Sequence, residues 1–377
     1  MKKNNYIYLD YSATTKPDKK VIKYFCDISE NNYANPNSKH ILGINSHKII
    51  DKATKIITDY LEIDKDELIY TSGASEANNT VFKGLKNGNR KHIITSPLEH
   101  SSIYGPIGYL QKKGYTISIA PLTSDGTIDI EALEKMMTKD TFLVSIAAVD
   151  SELGTRQPIE KIGKMLKKYP DIYFHSDITQ CIGKDNISLT DVDLASFSGH
   201  KIFCFKGIGG LIKKKNIKLA PLIHGGKSVT KYRSGTPQTA LIGSLGKAFT
   251  LFKNNIDNNQ EYVTSLNNTI RNHFEKYDQI KINSPSSSIP NVLNISFLGK
   301  NSNIIQKYFE KNNIIISTKT ACSNDEGISK SVYSITKDEE RAKSSVRISL
   351  SYKTTKKEVE YLLKVIDKLM EDYNEIN

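Results

Sequence analysis

Ser196-Phe197-Ser198-Gly199-His200-Lys201 closes an apolar run, Val192 to Phe197, that reads as a buried strand. A lysine at the end of such a strand is costly unless it has a task. Its amine can join an aldehyde as a Schiff base, and the aldehyde most often held this way is pyridoxal phosphate. The serines and the histidine beside it offer donors for a phosphate. Taken alone, Lys201 reads first as one more surface lysine in a lysine-rich chain. Its surroundings in the chain reverse that reading.

Strand-like and helix-like segments alternate around this stretch. Strands are predicted at Glu67 to Thr71, His92 to Thr95, Tyr115 to Ala120, Phe142 to Val149, Ile172 to His175, Val192 to Phe197 and Gly207 to Ile212. Helices are predicted at Glu76 to Leu85, Ser101 to Lys113, Ile130 to Met137 and Ile159 to Lys168. Such alternation predicts a mostly parallel seven-stranded sheet with helices on both faces. Ligands of such sheets sit at the carboxyl ends of the strands. Beyond a polar helical stretch at Asn254 to Glu261 and a Ser/Pro-rich loop at Asn283 to Pro290, further strands are expected. These are Val292 to Phe297, Ile314 to Ser317 and Val346 to Leu350, followed by an amphipathic helix, Lys356 to Tyr373. This part predicts a smaller α/β domain. The expected division is 15–255 for the large domain, and 1–14 with 256–377 for the small one.

The bulk properties agree with a two-domain protein. The chain has 377 residues, 38% hydrophobic and 25% charged, which excludes disorder. Its net charge of +12 raises the question of nucleic acid. The densest clusters, Lys213-Lys214-Lys215 and Lys167-Lys168, are short and lack interleaved aromatics, so they read as solvated edges and no nucleic-acid partner is expected. None of the four cysteines, Cys26, Cys181, Cys204 and Cys322, forms a CxxC pair, so no metal site is expected. No run approaches the roughly 18 apolar residues of a membrane span. No h-region of a signal peptide is present, and a cytoplasmic protein with reduced thiols is expected.

Chemistry-bearing residues fall at successive strand ends. Ser72-Gly73-Ala74-Ser75 precedes a helix and can cradle a phosphate on backbone N–H groups at a positive helix terminus. Alone, Ser75 is an ordinary N-cap. His100, in Glu99-His100-Ser101, can stack on a planar cofactor or move protons, though a lone histidine is more often structural. Asp177, in Asp177-Ile178-Thr179-Gln180, can pair with a pyridinium nitrogen, and Gln180 can bond a phenolate oxygen. Each signal is weak alone. Together, in this order, they describe one cofactor site.

The segments Tyr8-Leu9-Asp10-Tyr11-Ser12-Ala13-Thr14-Thr15, Thr71-Ser72-Gly73-Ala74-Ser75-Glu76, Glu99-His100, Asp177 to Gln180, Ser196 to Lys201 and Arg233-Ser234-Gly235-Thr236 resemble the cysteine desulfurases. These are class V, fold-type I pyridoxal-phosphate enzymes. Asn35-Pro36-Asn37-Ser38-Lys39-His40 is similar to their N-terminal loop. The resemblance runs from about Tyr8 to Ser351. It implies that Lys201 carries the cofactor, that His100 stacks on its ring and assists proton transfer, and that Asp177 and Gln180 bind the ring nitrogen and phenolate oxygen. It implies a phosphate shell of Ala74, Ser75, Ser198 and His200, with Thr236 reaching in from the second subunit of a homodimer. Arg347, with Asn35, is expected to bind the substrate, L-cysteine, and the guanidinium fork suits its carboxylate. Cys322, in Thr320-Ala321-Cys322-Ser323, is expected to take the sulfur as a persulfide. Arg347 lies 25 residues beyond it, as in the longer-loop desulfurases that serve iron–sulfur assembly, which implies a sulfur-acceptor scaffold as a further partner.

The chain also departs from the family's pattern. Asp150-Ser151-Glu152 stands where Asn-Asn-Glu is usual, so Ser151 takes the place of an asparagine that contacts the ring oxygen. Cys204-Phe205 replaces a Gly-Pro, Lys227-Ser228-Val229 replaces a Gly-Gln-Glu-like run, and Lys319 stands near Cys322. These changes surround the substrate and sulfur delivery rather than the cofactor's core contacts. They leave open a second reading, a β-lyase or aminotransferase acting on another amino acid.

Overall fold

The computed structural model describes residues 6–226, 228–318 and 328–375. Twelve strands are described: β1 Ile7–Tyr8, β2 Leu68–Thr71, β3 His92–Thr95, β4 Thr116–Ile119, β5 Thr141–Ser145, β6 Tyr173–Asp177, β7 Leu194–Ser198, β8 Gly209–Lys213, β9 Ile280–Ile282, β10 Val292–Phe297, β11 Ile314–Ile315 and β12 Ser345–Ser349. Seven of them form one sheet in the order β2-β8-β7-β6-β5-β3-β4. β7, β6, β5, β3 and β4 pair in parallel, and β8 runs antiparallel between β2 and β7.

Strand periodicity sends alternate side chains to opposite faces of this sheet. Leu68 and Tyr70 of β2 join one core cluster, while Ile69 joins the other. Likewise Ile94 of β3 faces the first and Ile93 the second. Apolar residues on both faces require cover on both. Helices Ala74–Gly84 and Ser101–Gln111 supply Val81, Phe82, Ile103 and Ile107 to one side. Helices Ile41–Leu61 and Thr239–Phe252 supply Ile50, Ile57, Leu245 and Phe249 to the other. These last two helices approach closely, since a Cβ on Gly246 would lie 2.8 Å from the Ala53 Cα. A further core gathers Leu9, Val263, Ile270, Phe297, Ile348, Leu362 and Ile366 around the antiparallel sheet β12-β10-β9 and the pair β1-β11.

The first strand therefore belongs with the last third of the chain. Ile7 and Tyr8 pair in parallel with Ile314 and Ile315, and the Ser349 N–H donates to the Leu9 carbonyl at 2.7 Å. Residues 10–15 then run directly to the carboxyl ends of β6 and β7.

One close approach joins the antiparallel strand to the first helix turn. A Cβ on Gly209 would meet the Phe197 carbonyl oxygen at 2.3 Å and the Gly73 Cα at 2.7 Å, both backbone atoms that have little room to move. Gly209→Ala is expected to lower the unfolding free energy by roughly 1–3 kcal/mol, the usual cost of overpacking. Urea denaturation measures it, and an unchanged midpoint would contradict this packing.

Candidate active site

Ten of the predicted site residues line one cavity at the carboxyl ends of the strands. They are Ala74, Ser75, His100, Ser151, Asp177, Gln180, Ser198, His200, Lys201 and Arg347, joined there by Ser12, Ala13, Ser102 and Thr179. The cavity measures about 250 Å³. That is near the lower end of small-ligand sites, roughly 300–1,000 Å³, and suits a compact cofactor rather than a dinucleotide. Two predicted residues lie outside it. Asn35 is exposed, and its Oδ1 accepts the Asn37 N–H at 3.0 Å in a local turn, so in this single chain it is not brought to the substrate. Thr236 lies on the loop before helix Thr239–Phe252, away from its own chain's cavity. Cys322 and Lys319 lie outside the described residues.

Lys201 ends a short 3-10 turn, Gly199–Lys201, immediately after β7. Its Nζ donates to the Ala13 carbonyl at 2.7 Å and to the Ser12 carbonyl. The same N-terminal segment holds the turn itself: the Thr15 N–H and hydroxyl both donate to the His200 carbonyl, at 2.9 and 2.8 Å. His200 Nδ1 lies 3.1 Å from Thr14 Oγ1. Burial, and then the charge of Lys201, push the His200 imidazole down to about 4, so it is neutral at pH 7.

Ala74, Ser75, Ser198 and His200, the residues expected to hold a phosphate, line the same cavity. Helix Ala74–Gly84 begins two residues earlier than an N-cap at Ser75 requires. Gly73 caps it at φ 152°, a backbone conformation that L side chains rarely adopt, which frees Ser75 to face the cavity. The Ala74 N–H donates to Ser198 Oγ at 2.7 Å, binding the helix terminus to the end of β7. The helix terminus, the Ser75 and Ser198 side chains and the His200 imidazole thus line one cavity.

Asp177 ends β6 and lines the same cavity. Its Oδ1 accepts the Thr179 N–H at 3.0 Å and its Oδ2 accepts Asn78 Nδ2 at 2.8 Å. Gln180 sits beside it, its Nε2 donating to the Ser12 carbonyl at 2.9 Å and its Oε1 accepting from Lys184 Nζ. Burial lowers the Lys184 amine to about 7. Behind Asp177, the ring of His175 is held by Ser145 and Ser196 hydroxyls at 2.8 and 2.6 Å, and burial pushes it down to about 4. Arg347 on β12 is almost fully buried. Its Nη2 donates to Asp10 Oδ1 at 2.6 Å and its Nη1 to the Ser151 carbonyl at 2.9 Å.

These residues fit pyridoxal phosphate on the structure's own terms. Thr179 Oγ1 and Arg347 Nε are buried without a hydrogen-bond partner among the described residues, and both side chains line the cavity. Each such orphan costs about 1–3 kcal/mol unless a ligand meets it. The Ser75 and Ser198 hydroxyls, the helix terminus and the His200 imidazole suit a phosphate, the Asp177 carboxylate suits a ring nitrogen, and Lys201 lines the same cavity. Cys204 is fully buried, its thiol raised to about 12 by burial, which fits packing and not chemistry.

Sequence reading missed Ser12, Ala13, Asn78, Ser102, Thr179 and Lys184. Asn78 carries the clearest overlooked signal, since it follows Ala74 by one helix turn and so shares its face. Lys184 follows Gln180 by four residues.

The class to which this fold and site point is that of pyridoxal-phosphate enzymes on the fold-type I plan. The family model "Aminotransferase class-V" matches residues 7–362, and the chain belongs to that family. Its relatives include the cysteine desulfurases. Cysteine desulfurase IscS of Clostridium botulinum is 33% identical over 384 residues, spanning 99% of this chain and 96% of that protein. The IscS of Dictyoglomus turgidum is 35% identical over 379 residues, spanning 98% and 96%. Among solved structures, a NifS-like protein superposes with a TM-score of 0.91 at 31% identity, covering 97% of this chain and 99% of the other. SspA in complex with cysteine superposes with a TM-score of 0.81 at 32% identity, covering 92% and 99%.

The unusual Asp150 gives a test of the site's electrostatics. It is buried, and burial, then the Glu152 carboxylate, raise it to about 7. Its Oδ2 accepts the Glu152 N–H at 3.0 Å and the Leu153 N–H, and its Oδ1 accepts the Ser331 hydroxyl at 3.2 Å. Unfolded, it returns to about 3.8. Between these values the folded chain holds a proton that the unfolded chain has released, so Asp150 costs stability as pH rises from about 4 to about 7. Asp150→Asn keeps the acceptor and removes the charge. It is expected to raise the unfolding free energy by on the order of 2–4 kcal/mol at pH 8 and by little at pH 4. Denaturant titration at both pH values measures this, and an equal gain at both would contradict it.

Proposed function

We propose that this chain is a pyridoxal-phosphate-dependent cysteine desulfurase that converts L-cysteine to L-alanine and takes the sulfur on Cys322. The observation that carries this reading is the convergence of Lys201, Asp177, His100, the Ser75–Ser198–His200 cradle and Arg347 on one cavity. Its relatives' names do not favour the alternative of another amino acid as substrate.

Ala74, Ser75, Ser198 and His200 would hold the phosphate of pyridoxal phosphate, Asp177 would pair with its ring nitrogen, and Gln180 and Ser151 would serve its ring oxygen. Bound there, the cofactor supplies an electron sink for the substrate's α-carbon. The chain's own residues do the rest. Arg347 grips the substrate carboxylate, steadied by Asp10 and the Ser151 carbonyl. Lys201 carries protons to and from the α-carbon, its amine held at the site by the carbonyls of Ser12 and Ala13. The Cys322 thiolate forms a bond to the substrate sulfur as the carbon–sulfur bond breaks. Cysteine and one thiol therefore become alanine and one persulfide, with no oxidant or reductant required.

Thr236 and Asn35 act across a homodimer. The exposed apolar residues Tyr33, Ile41, Leu42 and Ile44 near Asn35, with Leu222 and Ile223 before Thr236, support such an interface. The persulfide passes to a sulfur-acceptor protein for iron–sulfur or thio-cofactor assembly. A cytoplasmic site of action accords with this role, and no described helix is long and apolar enough to cross a membrane. The domain division 15–255, with 1–14 and 256–377 as the small domain, accords with the separate core around β9, β10 and β12.

Alanine formation from L-cysteine tests the reading. Wild type is expected to be active, Lys201→Ala to lose at least about a hundredfold, and Cys322→Ala to form no protein persulfide. Full activity in Cys322→Ala, or none in the cofactor-loaded wild type, would overturn it.

A further inference from the structure

A hydrogen-bonded chain of side chains links the two residues expected to flank the cofactor ring. Asn78, fully buried on helix Ala74–Gly84, places its Nδ2 2.8 Å from Asp177 Oδ2 and 2.9 Å from Ser102 Oγ. Ser102 Oγ lies 2.9 Å from His100 Nδ1, and the Ser102 backbone N–H donates to the same nitrogen at 3.1 Å.

Chemistry fixes every proton in this chain. A carboxylate oxygen accepts, so the group Asn78 turns to Asp177 must be its amide nitrogen; the carbonyl oxygen would set two acceptors against each other. The second N–H of that nitrogen points to Ser102, whose oxygen must accept it. The Ser102 hydroxyl proton is then free to point to His100 Nδ1. The Ser102 backbone N–H can only donate, and it reaches Nδ1 as well. His100 Nδ1 therefore carries no proton. His100 also caps helix Ser101–Gln111, whose positive end disfavours a cation at the ring. The charges that act on the ring are Asp177 and Glu152, which favour a cation, and Lys201, which opposes one; burial outweighs them and lowers the imidazole below its usual range.

We infer that Asn78 and Ser102 are positioning residues that read the Asp177 carboxylate and lock His100 as a neutral imidazole with its proton on Nε2. His100 then serves as a fixed hydrogen-bond donor toward the cavity, and the proton transfers fall to Lys201. The inference rests on the cofactor reading of this cavity for its meaning, but not for its geometry.

Nitrogen-15 NMR of histidine-labelled, cofactor-free protein tests it without turnover, with the His100 signals assigned by their loss in His100→Gln. Wild type is expected to show an unprotonated Nδ1 and a protonated Nε2 on His100 at pH 8. Protonated Nδ1, or a mixture of the two tautomers, in wild type overturns the inference. Ser102→Ala and Asn78→Leu are expected to mix the tautomers. In the cofactor-loaded enzyme they are expected to lower kcat about tenfold while KM for L-cysteine stays within about twofold. Variants that fold and keep the wild-type His100 signals would show that the backbone N–H acts alone, and would overturn the role of Asn78 and Ser102. Should Asn78→Leu fail to fold, Ser102→Ala, whose side chain is only partly buried, decides the matter. An inactive wild type with the expected His100 signals would refute the desulfurase reading and leave this inference standing.

Discussion

A cationic amine at the carboxyl end of a buried strand must find oxygen ligands within the protein, and Lys201 finds them in the carbonyls of Ser12 and Ala13. Much of the architecture follows from that need. The carbonyls must be brought from outside the seven-stranded sheet, because its own are committed to the ladder. The N-terminal segment brings them. Its strand β1 is fastened to β11, Leu9 lies in the core around β10 and β12, and Thr15 clamps the turn that bears His200 and Lys201. Ser12 and Ala13 thereby line a cavity whose other lining residues come from 74 onwards.

Arg347 answers the same problem from the opposite side. It sits on a strand of the small sheet, yet its guanidinium crosses to Asp10 and to the Ser151 carbonyl. Breaking one partner of so buried a pair leaves an uncompensated charge, so Asp10 and Arg347 constrain each other's position. The fork is held by two contacts within the chain, while Nε has none among the described residues. A guanidinium prepared in this way offers a carboxylate a fixed donor rather than a mobile one.

Much of this could be read from the sequence, for identifiable reasons. The strands from β2 to β8 announced themselves because each is short, apolar and followed by a polar or small residue at a turn. Lys201, Asp177, His100 and Ser198 were legible because their chemistry is rare at strand ends. Helices Lys19–Asn31, Ile41–Leu61 and Thr239–Phe252 escaped notice. In Ile41–Leu61 the buried face uses Gly43, Ser46, Thr54 and Thr58 among its apolar residues, so the hydrophobic period is diluted. Asn78, Ser102 and Thr179 were invisible for a related reason: they are ordinary polar residues whose roles exist only through partners distant in sequence. Ser75 looked like a helix cap, and only the positive φ of Gly73 shows that another residue fills that place.

The central claim is that Lys201, and no other lysine, is where the cofactor attaches. Borohydride reduction of the pyridoxal-phosphate-loaded protein, followed by peptide mass mapping, tests it directly. The account predicts a stable cofactor-derived mass on Lys201 and none on Lys184, the lysine of lowered basicity beside Gln180. The mass on Lys184, or on no lysine of a protein that visibly binds the cofactor, would contradict it.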